Sequence, residues 1–488
     1  MIKEEQNRLK KLEQIKKLGL EPYPARTGRN LSCEQVQKDF NKLTKGKNAI
    51  VLAGRLVLIR LHGGAIFAHL DDGTSRFQIL FRKNVVGEKQ YQFLKELVDL
   101  GDFLEVEGSL FTTKTGEKTL EVKKFELLGK TLLPLPEKWH GLEDVEIRYR
   151  KRYLDLLADP EVKEIFKKRS LIIKTIREFF TKQGFIEVET PILQPIPGGA
   201  AAKPFITHHD TLDIDLYLSI APELYLKRLI IGGFEKVFEI TKCFRNEGID
   251  WSHNPEFTQV EFYQAYADYQ DLMNLTERLF TFLFQELKMN YKIKYRDTEI
   301  DFTPPYPRKK YIEAIKEYAG LDLNEFRDRD ALYKEVKKIG LEVEKKWSWA
   351  KIVDEIFKEK VRPKIKNPVF IMNHPVEISP LAKKTPDDSR YVERFQLLAG
   401  GLEICNAFSE LNDPLDQEER FKAQQATRKS GDEEAQMYDQ DFIEAMKHGM
   451  PPTAGCGIGI DRLMLLLTGQ TNIREVILFP TMRPKNSK

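Results

Sequence analysis

Arg245 and Glu247 stand in the segment Phe244-Arg245-Asn246-Glu247-Gly248, and a short loop leads to His253-Asn254-Pro255-Glu256-Phe257-Thr258-Gln259-Val260-Glu261-Phe262-Tyr263. The flanks read as two strands of a hairpin, and side chains on a strand alternate faces with a period of two. On that reading Arg245 and Glu247 share one face, while Phe257, Gln259, Glu261 and Tyr263 share a face of the returning strand. A cation, an aromatic plate and a carboxylate beside a phenol are then collected in one cleft. Such a cleft suits a nucleotide next to a cationic small molecule. A half-buried hairpin with a solvated polar face would carry more plain Lys and Glu filler than these positions do.

Asn406, Phe408 and Glu410 alternate in the same way, as a pocket wall would need. With Glu261 and Tyr263 they offer two carboxylates and a phenol, the compensation an ammonium requires when it leaves water. A substrate carboxylate placed there would be repelled by roughly 4 kcal/mol per charge at about 4 Å and an effective dielectric near 20.

The elements that must position these groups follow from the hydrophobic periodicity. Residues 1–46 open with Leu9, Leu12, Ile15 and Leu18 at helical spacing among Lys and Glu, a basic amphipathic helix that Pro22 and Pro24 are expected to end. It reads equally as a packed surface helix or as an arm touching RNA backbone. Residues 47–130 turn to short β runs in the order three strands, a helix and two strands, which is the order of an OB-fold barrel. Such barrels stack bases on exposed aromatics beside a basic groove, and Arg60, Phe67, Arg76, Phe77, Gln78 and Glu117 are placed to serve. A Pro-rich and Arg-rich linker is expected over 131–155. Residues 156–488 mix helices and strands without βαβ repeats, predicting an α+β domain on an antiparallel sheet, with a helical insertion at about 310–360.

At 488 residues the chain has length for two or three domains. Lys+Arg at 78 against Asp+Glu at 75 leaves a net charge of +3, so any nucleic-acid surface must be local rather than global. The four cysteines, Cys33, Cys243, Cys405 and Cys456, include no C-x-x-C pair, which argues against a zinc module and fits a reducing compartment. The N-terminus has no apolar stretch of the secretory type and no run reaches the roughly 18 apolar residues of a spanning helix. A cytoplasmic, non-membrane protein is expected. No P-loop signature is present, and Gly455-Cys456-Gly457-Ile458-Gly459-Ile460 misses the dinucleotide-binding spacing.

The wording FRNEG…HNPEFT…E-F-Y closely resembles motif 2 of the class II aminoacyl-tRNA synthetases, and of the lysyl-tRNA synthetases in particular. The resemblance covers nearly the whole chain. Gly184-Phe185-Ile186-Glu187-Val188-Glu189-Thr190-Pro191 resembles motif 1, which implies a homodimer. Gly459-Ile460-Asp461-Arg462 resembles motif 3. The resemblance implies that ATP and L-lysine are joined as lysyl-adenylate and that the lysyl group passes to the 3′ end of tRNA(Lys). It implies that Arg245 and Arg462 are catalytic and bind ATP with Glu247, His253, Asn254, Phe257 and Glu403. It implies that Gly199, Glu223, Glu261, Tyr263, Asn406, Phe408 and Glu410 bind lysine, and that Arg60, Phe67, Gln78 and Glu117 read the anticodon.

Three departures stand out against that pattern. Members of the family normally place two glutamates near Mg²⁺, seven residues apart; Glu403 fills the second place and Gln396 the first. Bacterial members usually have Arg where Ser252 precedes His253, and His62-Gly63-Gly64 replaces a usual Met-Gly-Lys. Mg²⁺ is the expected metal and no zinc is expected. The alternatives are a paralogue that attaches an amino acid to a protein, and a non-catalytic RNA-binding regulator; the complete OB-fold pattern and the retained Arg245, Phe257, Glu403 and Arg462 favour the ligase.

Overall fold

Alternating apolar runs between residues 50 and 129 become five strands in the computed structural model, which describes residues 3–46, 48–135, 144–429 and 434–484. They are β1 (Ile50–His62), β2 (Ala65–Asp71), β3 (Arg76–Arg82), β4 (Phe103–Thr112) and β5 (Lys118–Gly129), closed in the order β1-β2-β3-β5-β4. Closure depends on the length of β1. Its first half, Ile50–Arg55, pairs with β4, and after a register shift between Leu56 and Leu58 its second half pairs with β2. One strand thereby serves two neighbours and the sheet has no free edge there.

The barrel belongs to the first of two units, Met1–Glu143 with Tyr153–Asp159; the second is Asp144–Arg152 with Pro160–Lys488. Residues 1–46 share the barrel's core. Cys33, Val36 and Phe40, from the helices Cys33–Lys38 and Phe40–Thr44, pack with Leu52, Phe77, Ile79 and Phe81. Phe77, a candidate base-stacking residue by sequence, is instead 2% exposed and fills this core. The helix Lys3–Lys17 packs through Arg8, Leu12 and Ile15, and Arg8 donates to Leu100 O (3.2 Å) and Thr131 Oγ1 (2.7 Å). It stops before the prolines, at a turn where Gly19 has φ +76°, which leaves Leu18 exposed. Part of the expected 131–155 linker, residues 136–143, lies outside the described residues.

The second unit contains one eight-stranded sheet and two smaller ones. The strands, in chain order, are β6 (Ile186–Glu187), β7 (Leu193–Gln194), β8 (Ile206–His209), β9 (Ile214–Leu218), β10 (Lys236–Phe244), β11 (Glu256–Ala265), β12 (Lys292–Tyr295), β13 (Thr298–Asp301), β14 (Arg308–Lys310), β15 (Val369–Met372), β16 (Arg394–Ala399), β17 (Leu402–Ser409) and β18 (Thr453–Gly459). The large sheet runs β14-β15-β16-β17-β18-β11-β10-β6, while β7-β9-β8 and β12-β13 form the smaller sheets. The six central strands of the large sheet are antiparallel, and only the two edge pairings, β14 with β15 and β6 with β10, are parallel. The helices Pro160–Lys182, Tyr269–Glu286 and Ile460–Thr468 cover one face of it. Val260 and Phe262 of β11, Cys405 and Ala407 of β17, and Ala454, Cys456 and Ile458 of β18 all point into that core. A period of two then sends the intervening residues to the other face. Between β14 and β15 the helices Tyr311–Ala319, Arg329–Lys338 and Trp349–Ile356, continued by tighter and wider turns to Lys364, build a core of their own around Ile315, Val336, Ile352 and Phe357.

Candidate active site

The face of the large sheet left open by the core helices floors a cavity of about 400 Å³. Phe257, Gln259, Glu261 and Tyr263 line it from β11, and Asn406 and Phe408 from β17. β18 runs between these two strands and contributes glycines. Gly457 faces Glu261 on one side and Asn406 on the other, and Gly455 faces Tyr263 and Phe408. The glycine run, which misses the dinucleotide-binding spacing, is therefore a strand kept bare so that its neighbours' side chains can lean over it. A β-carbon on Gly455 would stand 2.2 Å from Tyr263 Cε1 and 2.4 Å from Glu410 Oε1. Cβ atoms do not approach that closely, so only glycine fits unless both side chains move.

Arg245 and Glu247 do not lie on a strand. β10 stops at Phe244 because the Asn246 amide bonds to Lys203 O (2.7 Å) instead of across the hairpin, while Arg245 N–H still reaches Pro255 O (2.8 Å). Both residues nonetheless line the cavity, Glu247 from an exposed loop. The Arg245 guanidinium carbon lies 5.0 Å from the centroid of the Phe257 ring, and its Nε has no hydrogen-bond partner among the described residues. A buried guanidinium donor with nothing to bond is placed to meet an anion.

Arg462 enters from the first turn of the helix Ile460–Thr468. That turn is fixed by Asp461, which accepts from Thr258 N–H (2.8 Å) and pairs with Arg169 (2.6 Å). Arg462 donates to Glu403 O (3.3 Å) and to His253 Nε2 (2.9 Å). Because Nε2 must accept that bond, the neutral His253 ring carries its proton on Nδ1, where it donates to Asp250 Oδ2 (2.8 Å). Burial works against the Asp250 carboxylate, but the Ser252 amide (2.6 Å) and His253 hold its pKa below the ordinary value. Ser252, at the position where a basic residue is usual, thus closes the loop that aims His253. Asn254 donates to Glu256 O (2.6 Å), and its Oδ1 is buried in the same wall without a partner among the described residues.

At the other end of β11 the groups are acidic. Glu261 Oε1 accepts from Gln259 (2.6 Å) and Oε2 from the Tyr263 hydroxyl (3.1 Å). Burial, helped by the charge of Glu223, pushes its pKa up to about 8. Glu223, first residue of the helix Glu223–Ile231, is 5% exposed, and burial raises its pKa too. Gly199 crosses over it with φ +90°, and a β-carbon there would lie 2.7 Å from Glu223 Cβ. That loop position requires glycine on both counts. Asn406 Oδ1 accepts from Arg394 Nε (2.8 Å), and Arg394 is in turn held by Ile378 O and Ser379 Oγ. Glu410 alone among the candidate amino-acid contacts is absent from the cavity lining: it sits behind Gly455, buried, in an ion pair with Lys227.

The remaining polar groups come from places the sequence did not single out. Asp354, Lys358 and Arg362 reach the cavity from the helical insertion. Arg362 pairs with Glu403 Oε2 (3.2 Å), and Gln396 Nε2 donates to the same oxygen (3.0 Å). Among the described residues Gln396 Oε1 is buried without a hydrogen bond of good geometry, and its polar neighbour is the buried His374 imidazole. An orphaned amide oxygen beside a carboxylate is a donor set that fits a hard cation also bound by phosphate oxygens. Among the described residues no group of three or more His, Cys, Asp or Glu side chains could hold a metal by itself.

On the barrel, Gln78 and Glu117 line a second cavity with Arg76 and Lys118, and Gln78 donates to Thr119 Oγ1 (2.7 Å). Arg60 and Phe67 face each other across β1 and β2 and lie outside that lining. His62 ends β1, paired with Ala65, and Gly63-Gly64 makes the β1–β2 turn.

An OB-fold barrel, and a separate antiparallel sheet whose open face joins arginines to buried carboxylates, together define a class II aminoacyl-tRNA synthetase. The family described as tRNA synthetases class II (D, K and N) matches residues 144–483, and the OB-fold nucleic acid binding domain family matches residues 50–128. Over 480 residues the chain is 52% identical to the lysine–tRNA ligase of Pelotomaculum thermopropionicum, covering 98% of this chain and 94% of that one. It is 50% identical to the lysine–tRNA ligase of Carboxydothermus hydrogenoformans (98% of each chain) and 49% identical to that of Syntrophomonas wolfei (99% and 97%). The chain belongs to the lysine–tRNA ligase family of class II aminoacyl-tRNA synthetases. No helix among the described residues is long and apolar enough to cross a membrane.

Proposed function

We propose that this enzyme joins L-lysine to ATP as lysyl-adenylate, releasing pyrophosphate, and passes the lysyl group to the 3′ end of tRNA(Lys). The observation that carries this reading is the polarity of the cavity along β11. Phe257, under Arg245, and Tyr263, beside Glu261, are six residues apart, about 20 Å at roughly 3.3 Å per residue. A nucleotide fits the arginine end and a diammonium ligand the acidic end.

In this reading adenine stacks between Phe257 and Arg462, with Glu247, His253 and Asn254 at its edge. The lysine α-ammonium meets Glu223 under Gly199, its ε-ammonium meets Glu261, Tyr263 and the field of Glu410, and Phe408 and Asn406 flank the alkyl chain. Arg245 lies between carboxylate and α-phosphate and lowers their repulsion. A carboxylate oxygen attacks the α-phosphorus in line and the pyrophosphate oxygen leaves; no side-chain nucleophile is needed, and positioning with electrostatics supplies the catalysis. Glu403 and Gln396 Oε1 would hold Mg²⁺, which when bound neutralises phosphate charge.

We also assign Arg60, Phe67, Gln78 and Glu117 to the anticodon and place the enzyme in the cytoplasm as a homodimer. The dimer is supported by exposed apolar side chains at Ile186, Leu193, Ile206 and Ile214. The test is amino-acid-dependent ATP–pyrophosphate exchange with each of the twenty amino acids. Exchange with lysine alone supports the reading. Exchange with another amino acid, or with none at saturating Mg²⁺, overturns it, and the second outcome favours an RNA-binding relative.

A further inference from the structure

Lys227, a cation buried behind the acidic end of the cavity and outside its lining, is used by no step above. It stands four residues after Glu223 on the helix Glu223–Ile231 and is 1% exposed. Its Nζ lies 2.5 Å from Glu223 Oε1, is ion-paired to Glu410 Oε2, and stands 5.3 Å from the centroid of the Phe408 ring. Burial opposes its charge, yet the two carboxylates hold its pKa above the ordinary lysine value. A buried ammonium in that setting is a permanent part of the charge distribution.

We propose that Lys227 is a positioning and specificity-determining residue: by neutralising one of the three carboxylates Glu223, Glu261 and Glu410, it makes the pocket a site for a ligand with two ammonium groups. The inference rests on the lysine reading given above. Burial raises the pKa of Glu223, Glu261 and Glu410 in the free protein; with the ligand bound and all three ionised, three carboxylates and one resident cation leave two negative charges, matched by the α- and ε-ammonium groups. The other charged and titratable groups nearby do not alter this count. Arg245, on the loop after β10, is reserved for the substrate carboxylate. Arg394, on β16, acts on Glu223 from a distance while bonded to Asn406, Ile378 and Ser379. Tyr263, on β11, remains a phenol because burial and the surrounding carboxylates raise its pKa.

Geometry gives Lys227 a second effect. It occupies Oε1 of Glu223, so Oε2 is the oxygen presented to the α-ammonium. Through Glu410 it also fixes a carboxylate directly behind Tyr263 and Gly455. Without this cation, three carboxylates desolvated together would retain an extra proton, since like charges cannot all ionise in a buried site. One of them would then donate a hydrogen bond where the ligand also donates.

The test compares full-length Lys227→Gln and Lys227→Arg with the unaltered enzyme in lysine-dependent ATP–pyrophosphate exchange from pH 6.5 to 9.5. Lys227→Gln is expected to raise the lysine KM at least tenfold, with the ATP KM within twofold. The acid limb of kcat/KM for lysine should move up by one pH unit or more, and Lys227→Arg should return it to its original position. If Lys227→Gln does not melt cooperatively, Lys227→Met keeps the aliphatic stem and takes its place. The inference is overturned by a neutral variant whose acid limb is unmoved, by lysine and ATP KM values that rise together, or by an Arg variant whose limb moves as far as the neutral one. An unaltered enzyme inert toward lysine would overturn the proposed function itself, whereas an active one with an unmoved limb in the variants overturns only the role of Lys227.

Discussion

Tyr263 occupies the space that a side chain at Gly455 would need: the two residues are register partners on β11 and β18, and a β-carbon at 455 would stand 2.2 Å from Tyr263 Cε1. Gly455→Ala therefore displaces Tyr263 and, 2.4 Å away, the Glu410 carboxylate. Overpacking of this kind costs about 1–3 kcal/mol, and about 1.4 kcal/mol corresponds to tenfold in binding. The expected result is a lysine KM raised by about 10- to 100-fold with an ATP KM within twofold. Equal rises in both constants, from exchange kinetics, would show that the whole sheet had shifted instead.

Glu261 makes lysine binding pH-dependent. With its pKa raised to about 8 by burial, its carboxyl is mainly protonated at pH 7 in the free protein, whereas an ε-ammonium requires the carboxylate. Lysine binding at pH 7 should release a proton, and the lysine KM should fall as pH rises from 7 to 8.5 while the ATP KM stays flat. Calorimetry in two buffers of different ionisation heat reads the proton directly. The sign for stability is opposite. In the unfolded chain the carboxyl titrates at its ordinary 4.5, so between 4.5 and about 8 the folded protein binds more protons, and this group makes folding less favourable as pH rises through that window. Absence of proton release at pH 7 would reject the assignment of Glu261 to the ammonium.

The parts of this site that sequence could reveal are those governed by strand periodicity. Phe257, Gln259, Glu261 and Tyr263 share a face because they alternate with Val260 and Phe262, whose burial in the core is itself evident from their apolar character. Periodicity places Arg245 on a strand, whereas the strand ends at Phe244, because amino-acid type does not reveal that the Asn246 amide bonds to Lys203. Lys227 follows Glu223 by four residues, the spacing of any exposed helical ion pair, and only tertiary burial distinguishes it from one. The alternating glycines of β18 show in the sequence only that they miss the dinucleotide-binding spacing, since what they accommodate comes from β11 and β17, strands distant in the chain. Phe77 and Phe67 look alike as barrel aromatics, and the register alone sends one inward.

Arg462 holds its place through a planar fork, donating to His253 Nε2 and to Glu403 O from separate nitrogens. Lysine has one donor centre and cannot keep both bonds or lie flat on a base. Arg462→Lys is expected to raise the ATP KM at least tenfold and to lower kcat, with little change in lysine affinity measured by calorimetry without nucleotide. Unaltered ATP kinetics would remove Arg462 from the adenine site.

Gln78 and Glu117 are separated from the catalytic chemistry by belonging to the other unit. Glu117→Ala should leave ATP–pyrophosphate exchange unchanged and raise the KM for tRNA(Lys) in aminoacylation by about three- to tenfold, the loss of one hydrogen bond of about 0.5–1.5 kcal/mol. Gln78→Ala should behave alike, with some loss of barrel stability from its bond to Thr119. A fall in exchange itself would contradict this division of labour.

Gln396 presents the sharpest test of the metal site. Its Nε2 donates to Glu403 Oε2 (3.0 Å) and its Oε1 is buried without a well-formed hydrogen bond among the described residues, so the amide already orients toward the carboxylate it would share a cation with. Gln396→Glu converts a neutral oxygen donor into a charged one and removes the donated bond. Arg362, 3.2 Å from Glu403, offsets part of the repulsion between the two carboxylates, and a divalent ion bound with ATP offsets the rest. The Mg²⁺ concentration for half-maximal exchange is expected to fall by about three- to tenfold, an effect of about 0.7–1.4 kcal/mol at about 1.4 kcal/mol per tenfold. The kcat at saturating Mg²⁺ should stay within twofold. Without Mg²⁺ the variant should melt at a lower temperature than the unaltered enzyme, and the difference should narrow when Mg²⁺ and ATP are added together. An unchanged Mg²⁺ titration would mean that the cation is held by the phosphates and Glu403 alone, and that Gln396 serves only to orient Glu403.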